Sequence, residues 1–139
     1  MASHTVSLDG MLDFGKILAE SEQKIGTILG FQGDLGSGKT TLIRSILLAK
    51  GFDGTSITSP TYSYVHEYTK PFKVYHFDLY RLKKSEDFYT LGFDEYVDDP
   101  EATSFIEWPE RILPILEKPL QLFRLEILSQ DSRRIVWNK

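Results

Sequence analysis

Eight consecutive residues, Gly33, Asp34, Leu35, Gly36, Ser37, Gly38, Lys39 and Thr40, have the G-x-x-x-x-G-K-[ST] spacing of a phosphate-binding loop. Its glycines let the backbone turn with N–H groups facing inward, so a concave nest meets phosphate oxygens at the positive end of a helix. Lys39 then reaches the β- and γ-phosphates of a nucleoside triphosphate as a point charge. The Thr40 hydroxyl completes the shell of a magnesium ion. The competing reading is a glycine-rich turn in which Thr40 caps a helix and Lys39 is solvated; the flanking elements decide between the two.

Both elements that the motif requires are present. Residues 25–31 form a short apolar run suited to a covered parallel strand. Residues 41–50 place Leu42, Ile43, Ile46 and Leu47 on one helical face, and Gly51 stands where such a helix stops. Phosphate chemistry also needs an acid near the metal. Residues 103–108 read as a short strand carrying Glu107 near its carboxyl end, where a strand of a parallel sheet faces the ligand crevice. Asp78, near the end of a strand over residues 73–80, competes for the same metal- or water-positioning role. Trp108, beside Glu107, packs either on the nucleotide, on a neighbouring loop or in the core.

The other segments read as scaffold. Residues 7–20 carry a helical pattern of Leu8, Met11, Leu12, Ile17 and Leu18, with Ser7 or Asp9 as cap. Residues 51–62 form a loop rich in turn residues and hydroxyls. Thr58, Ser59 and Thr61 are its candidates for sensing the γ-phosphate, against the alternative of an ordinary connection turned by Pro60. Residues 62–69 and 73–80 predict a hairpin, the second strand holding Tyr75, Phe77 and Leu79 on one face and Val74, His76, Asp78 and Tyr80 on the other. His76 reads as structural. Residues 85–91 suggest a short helix capped by Ser85, followed by an acidic surface of Asp94, Glu95, Asp98, Asp99 and Glu101. Strands over 120–128 and 132–137 finish one sheet edge, with Arg133 and Arg134 read as solvated.

A chain of 139 residues suits one domain over residues 1–139 and leaves little room for a separate substrate domain. The expected fold is α/β: a P-loop NTPase-like, mostly parallel central sheet with antiparallel flanking strands and helices on both faces. The absence of cysteine excludes disulfides and thiolate chemistry, and a net charge of −4 disfavours a broad electrostatic grip on nucleic acid. No segment reads as a signal peptide or membrane span, so the expected location is cytoplasmic, with no membrane partner. No Asn-Lys-x-Asp follows the loop to read guanine. A small P-loop kinase would need an acceptor pocket and lid, and a nucleotide-gated binding module would need no hydrolysis at all.

Four segments together carry a family resemblance: Gly33 onward through Thr41, then Ser59-Pro60-Thr61-Tyr62, then His76-Phe77-Asp78-Leu79-Tyr80-Arg81-Leu82, then Ile106-Glu107-Trp108-Pro109-Glu110-Arg111. In order and spacing they resemble the TsaE (YjeE) family, over nearly the whole chain. The resemblance implies an ATPase that supports threonylcarbamoyladenosine synthesis at position 37 of tRNA, acting with TsaB and TsaD, with tRNA contacted indirectly through them. It implies nucleotide binding by the loop through Thr41, phosphate held by Lys39, magnesium held by Thr40 and Glu107, and hydrolysis assisted by Asp78. It also implies that Ser59, Pro60 and Thr61 form the nucleotide-responsive loop. No residue stands out as an arginine finger: Arg44, Arg81 and Arg111 are the candidates within the chain, and a partner supplying the group is the alternative.

Overall fold

The computed structural model describes residues 1–20, 26–60 and 62–138. A seven-stranded sheet runs through them, built from β1 (Ala2–Ser7), β2 (Ile28–Gln32), β3 (Val65–Tyr68), β4 (Val74–Asp78), β5 (Thr103–Glu107), β6 (Gln121–Ile127) and β7 (Ser132–Trp137). The spatial order is β1-β7-β6-β2-β5-β4-β3. The four central strands β6, β2, β5 and β4 are parallel, while β7, β1 and β3 attach antiparallel at the flanks. This is the expected fold class.

Alternation along the strands separates two apolar layers. On one face, Leu29, Phe31, Phe105 and Phe123 pack beneath α1 (Met11–Glu20) and α2 (Lys39–Ala49). Phe31 stacks between Phe105 and Phe123 at 6.0 and 5.2 Å between ring centres. On the other face, Ile28, Tyr75, Phe77 and Ile106 pack with Phe88 and Phe93, which belong to the stretch of α3 (Asp87–Thr90) and α4 (Asp94–Val97). Each fully buried aromatic ring of this kind contributes about 1.5–3 kcal/mol through removal of apolar surface from water. On the first face the two long helices touch closely: a Cβ on Gly15 would lie 2.3 Å from Ser45 Cβ, so glycine is what permits the approach.

Three expectations change. The helix expected over residues 7–20 starts only at Met11, and Ser7 instead ends a strand, Ala2–Ser7, for which no element was expected. Ser7 Oγ accepts from Gly10 N at 3.0 Å, so it closes the turn between strand and helix. The strand escapes a periodicity search because its sequence, ASHTVS, buries only Val6 outright. Ser85 caps nothing; its hydroxyl donates to Arg111 O at 2.8 Å and ties the short helical stretch to the turn Pro109–Arg111. Asp99 leaves the solvated acidic surface, meeting Lys73 Nζ at 2.9 Å and accepting from Tyr75 Oη at 3.1 Å. Burial does not oppose this pairing enough to reverse it: the Lys73 bond holds the Asp99 carboxyl below its ordinary value. Ile25, with which the second predicted strand begins, lies outside the described residues; the strand is observed from Ile28.

Candidate nucleotide site

β2 ends at Gln32, and α2 begins at Lys39. Gly38, the residue before the helix, sits at φ 102°, a left-handed conformation that glycine takes without strain. The loop thereby turns back and presents the amino end of α2 at the carboxyl ends of the parallel strands. Parallel register then sets the two acids side by side: Glu107 on β5 lies opposite Phe31 on β2 and, on its other side, opposite Asp78 on β4. Glu107 and Asp78 are buried, 3 and 8% exposed.

Lys39 is 5% exposed, and its ammonium donates to Gly33 O and, at 3.0 Å, to Asp34 O. It also lies 4.0 Å from the centre of the Trp108 ring. Burial pushes the Lys39 ammonium below its ordinary value, against the opposing pull of Glu107 first and then Glu110, Asp78 and Asp34. The protein therefore holds a partly desolvated cation at the back of the loop, where a phosphate would find it poorly screened. Trp108 is half-buried and reaches this place through an unusual backbone, φ 61° in the left-handed region. Such a conformation costs a non-glycine residue about 1–3 kcal/mol and is found where surrounding contacts enforce it. Here Trp108 N donates to Phe31 O at 3.3 Å, and the ring packs on Tyr80 at 4.9 Å between centres.

Thr40 Oγ1 lies 2.8 Å from Glu107 Oε1 and 3.0 Å from Oε2, its hydroxyl donating to the carboxylate. A hydroxyl and a carboxylate held together beside a phosphate loop match what magnesium takes from protein in phosphate sites: one or two oxygens, the remaining positions going to phosphate and water. Among the described residues no group of three or more His, Asp or Glu is placed to hold a metal unaided. The structure therefore separates the two competing acids: Glu107, not Asp78, meets Thr40. Asp78 instead accepts from Ser59 Oγ at 3.2 Å and from Tyr80 N at 3.0 Å. That places Ser59 of the 51–62 loop on the second acid.

A cleft of about 580 Å³ opens over these groups, with Lys39, Thr40, Asp78 and Glu107 on its floor and wall. Gly36, Gly38, Thr41, Ser59, Trp108 and Arg81 also line it. The other sequence candidates do not share one place. Thr58 is exposed and engages Tyr68, whose hydroxyl accepts from Thr58 N at 3.3 Å. Pro60 is buried, and Thr61 lies outside the described residues. Of the three arginines, Arg81 is in the cleft lining, stacked on Tyr62 at 4.4 Å, whereas Arg44 lies against Gly54, where an added Cβ would meet its Nη2 at 3.0 Å.

Two residues acquire positions that the sequence reading missed. Arg133, expected to be solvated, is 6% exposed. Its guanidinium donates to Ser129 O at 2.8 Å, to Ser132 O at 3.0 Å and to Gly36 O at 3.0 Å, bracing the phosphate loop from behind. Its neighbour Arg134 is exposed and pairs with Glu126 at 2.8 Å, as strand arginines usually do. The alternation of buried Arg133 and Ile135 with exposed Arg134 was the available signal. His76 is the second: it is fully buried, with Nε2 2.7 Å from Glu107 Oε2.

Residues 5–136 match the family model described as "Threonylcarbamoyl adenosine biosynthesis protein TsaE". The tRNA threonylcarbamoyladenosine biosynthesis protein TsaE of Rickettsia felis is 41% identical over 119 residues, covering 85% of this chain and 68% of the relative. The protein of the same name from Haemophilus influenzae is 43% identical over 130 residues, covering 90% and 80%. Among solved structures, YdiB of Bacillus subtilis superposes with a TM-score of 0.74 at 26% identity, covering 98% of this chain and 83% of that one.

Proposed function

This chain belongs to the TsaE family of threonylcarbamoyladenosine biosynthesis proteins, and from that premise we propose that it is a magnesium-dependent ATPase. It hydrolyses ATP to ADP and phosphate and acts with TsaB and TsaD, allowing repeated turnover of the tRNA-modifying complex in the cytoplasm. The observation that carries the reading is the Thr40–Glu107 pair at the amino end of α2, beside a buried Lys39.

The chemistry asked of the chain is positioning and charge stabilisation in an in-line displacement. Loop amides between Gly33 and Thr40 cradle the phosphates, and Lys39 neutralises charge on the β- and γ-oxygens. Thr40 and Glu107 would hold magnesium, which when bound draws charge from the phosphate oxygens. Asp78 orients the attacking water, and the Ser59 hydroxyl that it now accepts from is the group through which the 51–62 loop registers an occupied site. Trp108 keeps its ring over Lys39 and screens the ammonium from solvent. Among the described residues no helix is long and apolar enough to cross a membrane.

The test is reconstitution of tRNA modification with TsaB and TsaD, with and without this chain, following product over several turnovers together with ATP consumption. The expected result is that the chain, ATP and magnesium are all needed beyond the first turnover, and that Glu107→Ala abolishes the effect. Equal multiple turnover without the chain would overturn the proposal. The Ser59–Asp78 bond favours a second reading, in which nucleotide only sets the shape of a docking surface. Tight nucleotide binding with no phosphate release in the presence of both partners would select it.

A further inference from the structure

We propose that His76 is a positioning residue for the metal-facing carboxylate: its Nε2–H anchors Glu107 Oε2 and leaves Oε1 for a divalent cation. The inference rests on the reading of the cleft as a magnesium–nucleotide site. It names a role for a residue that this reading does not use.

Four observations carry it. His76 is fully buried on β4, and its Nε2 stands 2.7 Å from Glu107 Oε2, at the short end of the N–H···O range. His76 thus engages Oε2 and not Oε1, while the single hydrogen of Thr40 is shared between the two oxygens and lies nearer Oε1. The other ring nitrogen, Nδ1, is buried with no partner among the described residues. A hydrogen on Nδ1 would be a buried donor with nothing to bond, so the tautomer with hydrogen on Nε2 is the one that the surroundings satisfy. Finally, the histidine stands two residues before Asp78 on the same strand face, so β4 supplies both the anchor for one acid and the second acid itself.

The anchor answers a specific problem. Glu107 is also the carboxylate that Lys39 feels most strongly. A carboxylate free to rotate would close onto that ammonium when the cleft is empty, removing the oxygen that the cation needs. A donor on the far side holds the carboxylate plane against that pull. Ligand-orienting partners of this type typically change metal affinity by about 10- to 100-fold when removed.

The experiment uses the full chain with ADP and follows Mn²⁺ binding by electron paramagnetic resonance. His76→Leu removes the donor, and His76→Gln returns an N–H near the position of Nε2. The expected result is Mn²⁺ affinity about tenfold weaker in His76→Leu. ADP affinity measured in EDTA stays within about twofold, and His76→Gln recovers most of the loss. A lowered melting temperature with unchanged Mn²⁺ affinity would reduce His76 to a packing residue and overturn the proposal. A second measurement does not depend on any variant folding: long-range ¹H–¹⁵N spectra of the wild-type chain should show the Nε2–H tautomer, and an Nδ1–H tautomer would overturn it. If wild-type chain with ADP takes up no Mn²⁺, the nucleotide-site reading falls and this inference with it. Normal wild-type uptake with an indifferent His76→Leu removes the inference alone.

Discussion

His76, Asp78 and Glu107 face α2 from β4 and β5, while Tyr75, Phe77 and Ile106, one residue away along the same strands, face an aromatic layer. The two faces share their backbone hydrogen bonds and differ in everything else. On the aromatic side Phe77 meets Phe88, Phe93 and Tyr96 at 5.9, 5.8 and 6.1 Å between ring centres, and stability comes from apolar area. On the polar side the buried groups are held by hydrogen bonds, from Thr40 and His76 to Glu107 and from Ser59 and Tyr80 to Asp78. The contrast teaches that the two faces divide the work: the rings on one side supply stability, and the hydrogen-bonded acids on the other supply the site.

The sharpest way to break this division is Phe77→Ala. It should cost about 3–5 kcal/mol of stability by urea denaturation, with ATP hydrolysis per folded molecule nearly unchanged. Loss of activity in the folded fraction would show that the faces are not separable. The converse substitution, Lys39→Ala, should lower hydrolysis by about 10²- to 10³-fold, the scale of losing one preorganised charge contact. Its melting temperature should not fall, since burial already disfavours the Lys39 charge. A large loss of stability would make Lys39 a structural residue.

Trp108→Asn tests the boundary between the two regimes. Asparagine tolerates the left-handed backbone, so the fold should keep its stability, while loss of the ring over Lys39 should slow hydrolysis by an amount equivalent to about 0.5–2 kcal/mol. The smallest effect belongs to the Lys73–Asp99 pair behind the aromatic layer. Asp99 is held below its ordinary carboxyl value, so its contribution is present above that value and is lost as the pH falls through the lower, folded one. Asp99→Asn should therefore lower the melting temperature slightly at neutral pH and match wild type in strong acid. An unchanged difference in strong acid would assign the effect to packing.

The phosphate loop, α2 and the parallel strands were readable because each rests on local pattern: glycine spacing, a helical apolar stripe, short buried runs. The residue pattern alone left Asp78 and Glu107 in competition, and only the resemblance divided their roles, because which acid lies beside Thr40 depends on strand order, a long-range property. β1 was missed because an edge strand buries little and leaves no alternation to count. His76 and Arg133 were read as bland for a related reason. A residue's type gives its bonding capacity, but only the folded chain shows that a histidine faces an acid on the next strand or that an arginine reaches a loop 97 residues earlier.

That last reach has a consequence for how the molecule comes into being. Among the described residues β1 pairs with β7, and the loop carbonyl of Gly36 is braced by Arg133 on β7, so an edge strand and the phosphate loop lean on the same strand. A nascent chain released before residue 133 would have an opening strand without a neighbour and a nucleotide cradle without its brace. Damage to β7 would therefore be felt twice, at the edge of the sheet and at the loop.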